Sequence, residues 1–331
     1  MNPIFSRTLK SLCTVAVVAL LSACGASSTV DPFKPTRVIG LGDAYNDVGS
    51  DASGNAPFTV RGTSGVATVV EQVAALFNVG SDGTFKAVQA GFAPQSLAST
   101  GVLSYAVGGA LINSGSNSLA DQIKQLDADV GHALNASDLI VVAAGTQDIK
   151  ATYSLAGAET AAGLFAAQIQ KLLEMGAKHV LILQPLELSL TPYAIRNRTT
   201  YPVNDPLRIN VESNSSPTVK FNTVASGVIF DYVSRRGLSY NPVIYGAGLQ
   251  GTFSSTFNFY TSQPQYMEFT TSTQVPYCSG ADAIAMAGCT QTLNNPSVYD
   301  TTLFADDLNL TPFGNRWVAS NLYNATSQGW R

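Results

Sequence analysis

The sequence is poor in charged residues, and those it has do not cluster. Asp, Glu, Lys and Arg make up 12% of the 331 residues, about half the share that is usual in soluble domains. The formal net charge is -4, and no basic run occurs along the chain. Proteins that bind nucleic acid carry a basic patch or stripe. The composition therefore excludes a nucleic-acid partner, while the 45% of hydrophobic residues suffices for a large core.

The N-terminal apolar run is too short to span a bilayer. It covers Leu12–Leu21, whereas a spanning helix needs about 20 apolar residues. Arg7 and Lys10 precede the run and small residues follow it, an order that is typical of a secretory signal. The ending "LSAC" resembles the lipobox of bacterial lipoproteins. That resemblance implies cleavage before Cys24 and lipidation of this cysteine.

The lipobox resemblance also implies a location. Residues 1–23 would be the signal peptide, and Gly25, rather than an aspartate, follows the lipidated cysteine. By the rule for such proteins this directs the chain to the outer membrane of the cell envelope, attached to the membrane through its N-terminal lipid. The alternative is an ordinary signal peptide with a chance cysteine.

Cysteine is scarce, with four residues in the chain. Cys13 lies in the predicted signal peptide, and Cys24 is the predicted lipidation site. Cys278 and Cys289 remain, and in a chain predicted to reach an oxidising compartment we expect them to form one disulfide. A metal site is the alternative, but neither cysteine has a second cysteine or a histidine at ligand spacing. We expect no metal and no other cofactor.

Apolar and amphipathic segments alternate along most of the chain. Nearly continuous apolar character, typical of strands buried on both faces, marks four segments: 37–42, 137–145, 178–185 and 241–248. Apolar residues recur at helical spacing in three others: 66–77, 159–176 and 216–237. The alternation predicts an α/β fold, a three-layer α/β/α sandwich with a central parallel sheet. This domain would cover residues 37–331, after a polar tether at residues 24–36.

Two long stretches interrupt the alternation, at residues 188–216 and 249–300. Long loops inside a compact domain are usually functional or disordered. In doubly wound sheets the ligand crevice lies beyond the carboxyl ends of the strands, so we expect both loops to border it. Aromatic side chains are available near such a crevice: Tyr45, Tyr105, Tyr193, Phe259 and Tyr260.

Four short blocks follow the strand ends in order. They are "GDAYNDVG" (42–49), "SYAVGGALI" (104–112), "AAGTQDI" (143–149) and "YDTTLFADDLNLTPFGNRWVA" (299–319). Together they resemble the signature blocks of the SGNH, or GDSL, hydrolase family of esterases and lipases, over roughly residues 37 to 322. The resemblance implies the flavodoxin-like sheet of that family.

In that family a serine attacks the ester carbonyl, a histidine takes its proton, an aspartate orients the histidine, and glycine and asparagine donors hold the oxyanion. The resemblance assigns the nucleophile to Ala44, the histidine to Asn309, the aspartate to Asp306, the glycine donor to Gly108 or Gly109, and the asparagine to Gln147. Alanine has no nucleophilic atom, and an amide is not a general base near neutral pH. The resemblance therefore implies a catalytic triad that has decayed.

A site rebuilt elsewhere would need a histidine, and the chain has two. His132 lies in a helical stretch and His179 opens a strand at its amino end, so neither is expected in the crevice. Paired carboxylates can also catalyse hydrolysis of glycosides or hold a hard cation, and several acids are expected there: Asp43, Asp47, Asp148, Asp306 and Asp307. We interpret these as turn and capping residues inherited from the family.

The sequence thus predicts an exported lipoprotein with a GDSL-esterase fold that binds an acylated or glycan ligand, a small molecule or lipid, without turnover. Two alternatives stay open. One is an active GDSL-type carboxylic ester hydrolase. The other is a structural interaction protein of the envelope, whose protein partner the sequence does not identify.

Overall fold

A parallel sheet forms the centre of the fold, and its strands come from the apolar segments. The strands are β1 (Arg37–Gly42), β2 (Phe85–Ala87), β3 (Gly101–Ser104), β4 (Asp138–Ala143), β5 (His179–Leu183) and β6 (Val243–Tyr245). They lie in the order β2-β3-β1-β4-β5-β6, and all neighbouring pairs are parallel. The computed structural model describes residues 33–49, 58–60, 67–79, 85–87, 101–188, 191–193, 216–238, 240–246, 276–278, 289 and 302–330.

The two central strands are buried along their whole length. β1 and β4 pair from Arg37 with Asp138 to Gly42 with Ala143, and all six residues of each strand are buried. Because both faces of such strands are covered, their sequences are apolar after the first residue instead of alternating. The carboxyl ends of β1 and β4 lie side by side at one edge of the sheet, where the following turns begin.

Among the described residues, six helices connect and cover the strands. They are α1 (Val69–Leu76), α2 (Leu119–Asp129), α3 (Thr146–Thr152), α4 (Leu155–Glu174), α5 (Pro217–Arg235) and α6 (Pro312–Gly329). Hydroxyl residues cap five of them: Thr68, Ser118, Ser154, Ser216 and Thr311. Each cap oxygen accepts a backbone N–H of the first turn, which satisfies a donor that the helix itself cannot.

The helices form two layers, one on each side of the sheet. α1 packs against α6, and α4 packs against α5 and α2. In the second layer Phe165 and Phe221 meet with ring centroids 5.7 Å apart, and both are fully buried. The predicted three-layer α/β/α sandwich with a central parallel sheet is confirmed, and Lys34–Trp330 form one compact unit.

Three strands and one boundary differ from the prediction. β2 and β3 have three and four residues, too short for an apolar run to distinguish them from the loops around them. Thr36, at the end of the predicted tether, already belongs to the compact unit: its N–H donates to the Ser137 carbonyl at 3.1 Å. β6 is shorter than the predicted strand.

Some of the predicted features fall outside the described residues. These are the signal peptide, Cys24, most of the tether and most of the two long loops, with Phe259 and Tyr260. No helix in the described part of the chain combines the length and the apolar character that a bilayer crossing requires.

Candidate functional site

The turn after β1 presents Ala44 at the carboxyl edge of the sheet. Gly42 has a φ of +113°, and a side chain at this position would overlap the carbonyl oxygen of Ala143, so only glycine fits. The Gln122 side chain of α2 fixes Gly42 by accepting from its N–H at 2.7 Å and donating to its carbonyl at 2.8 Å. Asp43 and Tyr45 are buried, whereas Ala44 between them is partly exposed.

The C-terminal block holds Asp306 and Asn309 together as the predicted aspartate–histidine pair would be held. The Asn309 amide donates to Asp306 Oδ2 at 2.9 Å. The backbone N–H groups of Leu308 and Asn309 donate to Asp306 Oδ1 at 2.8 and 2.6 Å. Asp306 is fully buried. Because the amide nitrogen of Asn309 is used in this bond, its orientation is fixed by the aspartate.

A tyrosine joins these two parts of the site. The Tyr45 hydroxyl donates to the Leu308 carbonyl at 2.9 Å in a buried hydrogen bond. Tyr45 follows Ala44 and Leu308 precedes Asn309 in the sequence. The predicted nucleophile and base positions are thus each one residue from a direct contact between the first and fourth blocks.

The two candidate glycine donors have different surroundings. The Gly108 N–H donates to Asp47 Oδ2 at 2.7 Å, and a side chain at this position would overlap the ring of Phe58. Gly109 is exposed, has a φ of +81° and has open space where a side chain would be. The N–H of Gly108 is therefore committed to a carboxylate, and Gly109 is the glycine that faces outward.

The third block begins α3 and carries Gln147 in its first turn. Gln147 is partly exposed. The next residue, Asp148, accepts the Ile112 N–H with both carboxylate oxygens, at 3.1 and 3.2 Å, which ties the third block to the second. The described parts of all four blocks thus meet at the carboxyl edge of the sheet.

Burial perturbs the acids at this edge. It raises the pKa of the Asp43 carboxyl from 3.8 to about 7, and the negative charges of Asp148 and Asp47 raise it further. Burial also raises the pKa of Asp148 to about 6. Asp47 and Asp306 accept backbone N–H groups within their own turns, in agreement with the interpretation of these acids as turn residues.

Lys150 belongs to the same edge, and the sequence analysis did not identify it. Its ammonium lies 4.9 Å from the centre of the Tyr193 ring. Burial lowers the pKa of Lys150, while Asp306 and Asp307 act in the opposite direction. Lys150 follows Gln147 by three residues, which places both on one face of α3. That spacing was the signal available in the sequence.

Both histidines lie away from the site, as predicted. His132 is exposed and contacts Asp127 at 2.8 Å. His179 begins β5 at the amino edge and packs edge-on against Trp330, with centroids 4.9 Å apart; burial lowers its pKa to about 4. Since the chain has two histidines, no imidazole is available at the carboxyl edge.

The predicted aromatic residues and the predicted cysteine pair lie in different surroundings. Tyr105 is buried and donates to Asp129, and Tyr45 is used in packing, so neither is the open aromatic surface that was expected. Cys278 and Cys289 lie at disulfide distance, with Cα atoms 5.7 Å apart. Among the described residues, no group of three His, Cys, Asp or Glu side chains is arranged to hold a metal ion.

Neither the comparison of the chain with protein-family models nor the search among curated proteins finds a match.

Proposed function

We propose that the protein is an exported lipoprotein that retains the frame of a GDSL-type esterase and binds an acylated or glycan ligand without hydrolysing it. The observation that carries the proposal is the Asn309–Asp306 hydrogen bond of 2.9 Å. An amide takes the place of the imidazole in an otherwise formed pair, beside a turn whose nucleophile position is Ala44.

The side chains at this edge do not support acyl transfer. Ala44 has no hydroxyl to attack a carbonyl, and the Asn309 amide accepts no proton near neutral pH. The Gly108 N–H is committed to Asp47, which removes it as an oxyanion donor. In subtilisin, loss of the serine or the histidine of the triad lowers kcat about a million-fold.

The same edge keeps features that suit binding. Ala44 and Gln147 are partly exposed, and Gly109 is exposed. Lys150 and Tyr193 add a cation and an aromatic ring nearby. The carboxyl ends of parallel strands are the usual place for a ligand in this architecture. A hydroxyl-rich or ester ligand would find donors, acceptors and an apolar methyl there.

Measurement of ester hydrolysis tests the absence of turnover. The wild-type protein should hydrolyse short p-nitrophenyl esters no faster than a heat-treated control. The variant Ala44→Ser/Asn309→His/Gln147→Asn should hydrolyse them at least about 100-fold faster than Ala44→Ser alone, since a positioned general base contributes on that order.

Ala44→Ser alone is the matched control, because it adds the nucleophile without the base. Asn309→His alone adds the base without a nucleophile. A folded triple variant with no activity would show that the edge does not have the esterase frame. Wild-type turnover that depends on Asp306 would contradict the binding proposal.

Lys150 favours a second candidate, an active hydrolase. A half-buried amine whose pKa is lowered by burial can act as a general base, and it lies within electrostatic reach of Asp306. If the wild type turns over esters, Lys150→Met should abolish the activity, whereas Lys124→Met, on the surface of α2, should leave it unchanged.

The lipoprotein half of the proposal depends on Cys24. The variant Cys24→Ser should leave the membrane fraction of cells that export the protein, because lipidation of this cysteine is the proposed anchor. Retention of Cys24→Ser in the outer membrane would refute lipid anchoring without affecting the binding proposal.

A further inference from the structure

Asp306 and Asn309 lie within a small hairpin formed by residues 303–311, which we name the Asp306 loop. Phe304 and Leu310 form an antiparallel bridge. The Thr311 N–H donates to the Leu303 carbonyl at 3.0 Å, and the Ala305 N–H donates to the Asn309 carbonyl at 2.7 Å. The position of the two site residues therefore follows the position of this hairpin.

A short segment next to the disulfide pairs with the Asp306 loop. The N–H groups of Tyr277 and Cys278 donate to the carbonyls of Phe304 and Ala305, both at 2.8 Å. Ala305 immediately precedes Asp306. The half-cystine Cys278 is thus hydrogen-bonded to the residue that immediately precedes the Asp306–Asn309 pair.

The same contact is buried in a cluster of its own, separate from the main core. Its members are each less than 9% exposed: Val60, Tyr277, Cys278, Cys289 and Ala305. The Cys278–Cys289 bridge lies inside this cluster, so the covalent link and the apolar packing act on the same face of the Asp306 loop.

We infer that the Cys278–Cys289 bridge positions Asp306 and Asn309, so that the binding site is completed only in the oxidised chain. The two hydrogen bonds from Tyr277 and Cys278 resemble an isolated pair of strands, and such pairs are marginal in water. The bridge restricts the segment to the neighbourhood of Cys289 and so lowers the entropy lost when it pairs with the Asp306 loop. The assigned role of these residues in ligand binding rests on the proposed function.

The chemical step is thiol–disulfide exchange. The two cysteine thiols lose two protons and two electrons as one S–S bond forms, and the disulfide of an oxidising protein or small molecule is reduced to two thiols. Before export the chain would meet a reducing environment and hold both thiols. The site would then be complete only after the chain has reached an oxidising compartment.

The effect is expected to be confined to one side of the Asp306 loop, because other contacts hold its 308–310 side. The Tyr45 hydroxyl donates to the Leu308 carbonyl, and the Thr59 hydroxyl donates to the Leu310 carbonyl at 2.8 Å. β1 and β4 are buried independently of the cluster. Reduction should therefore loosen the 304–306 side of the loop, which carries Asp306, while the 308–310 side and the sheet stay in place.

Hydrogen exchange on the full-length protein tests the inference. In protein reduced with a phosphine, and in Cys278→Ser/Cys289→Ser, the amides of Leu308 and Asn309 should exchange at least about tenfold faster than in the oxidised wild type, because their acceptor, Asp306 Oδ1, moves with the loosened side of the loop. The amides of Ile140 and Val142 in β4 should be unchanged. Ile229→Ala, a buried truncation in α5, is the control for a general loss of stability.

Unchanged exchange at Leu308 and Asn309 would overturn the inference, and so would acceleration spread evenly over β4, as expected for the control. If the double serine variant does not fold, reduction of the folded wild type provides the same measurement. None of these results depends on any activity, so they stand apart from the proposed function.

The esterase variant provides a second readout. In Ala44→Ser/Asn309→His/Gln147→Asn, reduction should lower kcat about tenfold or more, with less change in KM, because a displaced aspartate misorients the base. If reduction lowers the activity only in proportion to the amount of folded protein, and kcat per folded molecule is unchanged, the bridge does not position Asp306.

Discussion

The two edges of the sheet use buried carboxylates in opposite ways. At the amino edge, Arg37 donates to Asp138 through Nε at 2.9 Å and through Nη2 at 2.6 Å, and both side chains are at most 5% exposed. At the carboxyl edge, Asp43 is equally buried, but the charges that act on it are those of Asp148 and Asp47. One edge neutralises its acid with a guanidinium, and the other surrounds it with acids.

The difference indicates which edge serves stability and which serves function. A bidentate pair satisfies the charges of both partners and links β1 to β4. Buried like charges lower the stability of the folded state, and perturbed carboxylates of this kind cluster at functional sites. Under the proposed function, the unfavourable arrangement of acids would be kept although the hydroxyl and the imidazole of the triad are absent.

The largest effect is expected from breaking the pair at the amino edge. Arg37→Met should lower the free energy of unfolding by about 3–5 kcal/mol, because it leaves the Asp138 carboxylate buried without its partner. Arg37→Met/Asp138→Leu should recover most of the loss. Denaturant unfolding of the three proteins measures both changes, and a double variant as unstable as the single one would contradict the explanation.

At the carboxyl edge, removal of a buried carboxylate is expected to raise the free energy of unfolding instead of lowering it. The pKa of Asp43 is about 7 in the folded protein against an ordinary value of 3.8, so folding favours its protonated form. Its destabilising effect is absent below pH 4 and grows as the pH rises to 7. Asp43→Asn should therefore raise the free energy of unfolding at pH 8 by up to about 4 kcal/mol.

Urea unfolding of wild type and Asp43→Asn at pH 4 and pH 8 separates this effect from packing. At pH 4 both carry a neutral group, and their stabilities should agree. An equal difference at both pH values would mean that the carboxylate charge is not its cause.

The Cys278–Cys289 bridge is a covalent contribution to stability on the carboxyl side of the sheet. It closes a loop of 11 residues, and the chain-entropy estimate for its removal is a loss of about 3 kcal/mol. Thermal unfolding of Cys278→Ser/Cys289→Ser measures the loss. Thiol titration of unfolded, unreduced protein should find neither cysteine reactive, and reaction of both would disprove the bridge.

The smallest effect is expected from removal of a single tyrosine hydroxyl. Tyr45→Phe should lower the free energy of unfolding by about 1–2 kcal/mol, because the buried Leu308 carbonyl loses its donor. It should also lower the activity of the restored esterase variant. Tyr105→Phe removes the bond to Asp129 and should leave that activity unchanged. Equal effects of the two substitutions on activity would show that Tyr45 does not align the site.

Much of the fold could be predicted because long buried strands have a distinctive composition. β1, β4 and β5 are apolar on both faces, and five helices begin at hydroxyl caps that satisfy the first turn. β2 and β3 could not be predicted, since three or four residues at one side of a sheet give no periodic pattern. Their pairing is a tertiary effect that local sequence does not encode.

The sequence suggested positions for the candidate site but not the contacts among them. The four blocks identified Ala44, Asp306 and Asn309, and the structure brings their neighbours together. The capture of the Gly108 N–H by Asp47 was not predictable, because it depends on how two turns 61 residues apart approach each other. The proximity of Lys150 to Asp306 depends likewise on the placement of α3 against the C-terminal loop.

The glycine at position 42 bears on how other chains of this kind could be recognised. Its backbone conformation and its approach to Ala143 leave no room for a side chain, and this constraint arises from packing alone. Residue 44 is therefore free to change, whereas residue 42 is not. A search pattern built on this glycine and on the buried aspartate of the C-terminal loop should find chains with the same turn whatever residue stands at position 44.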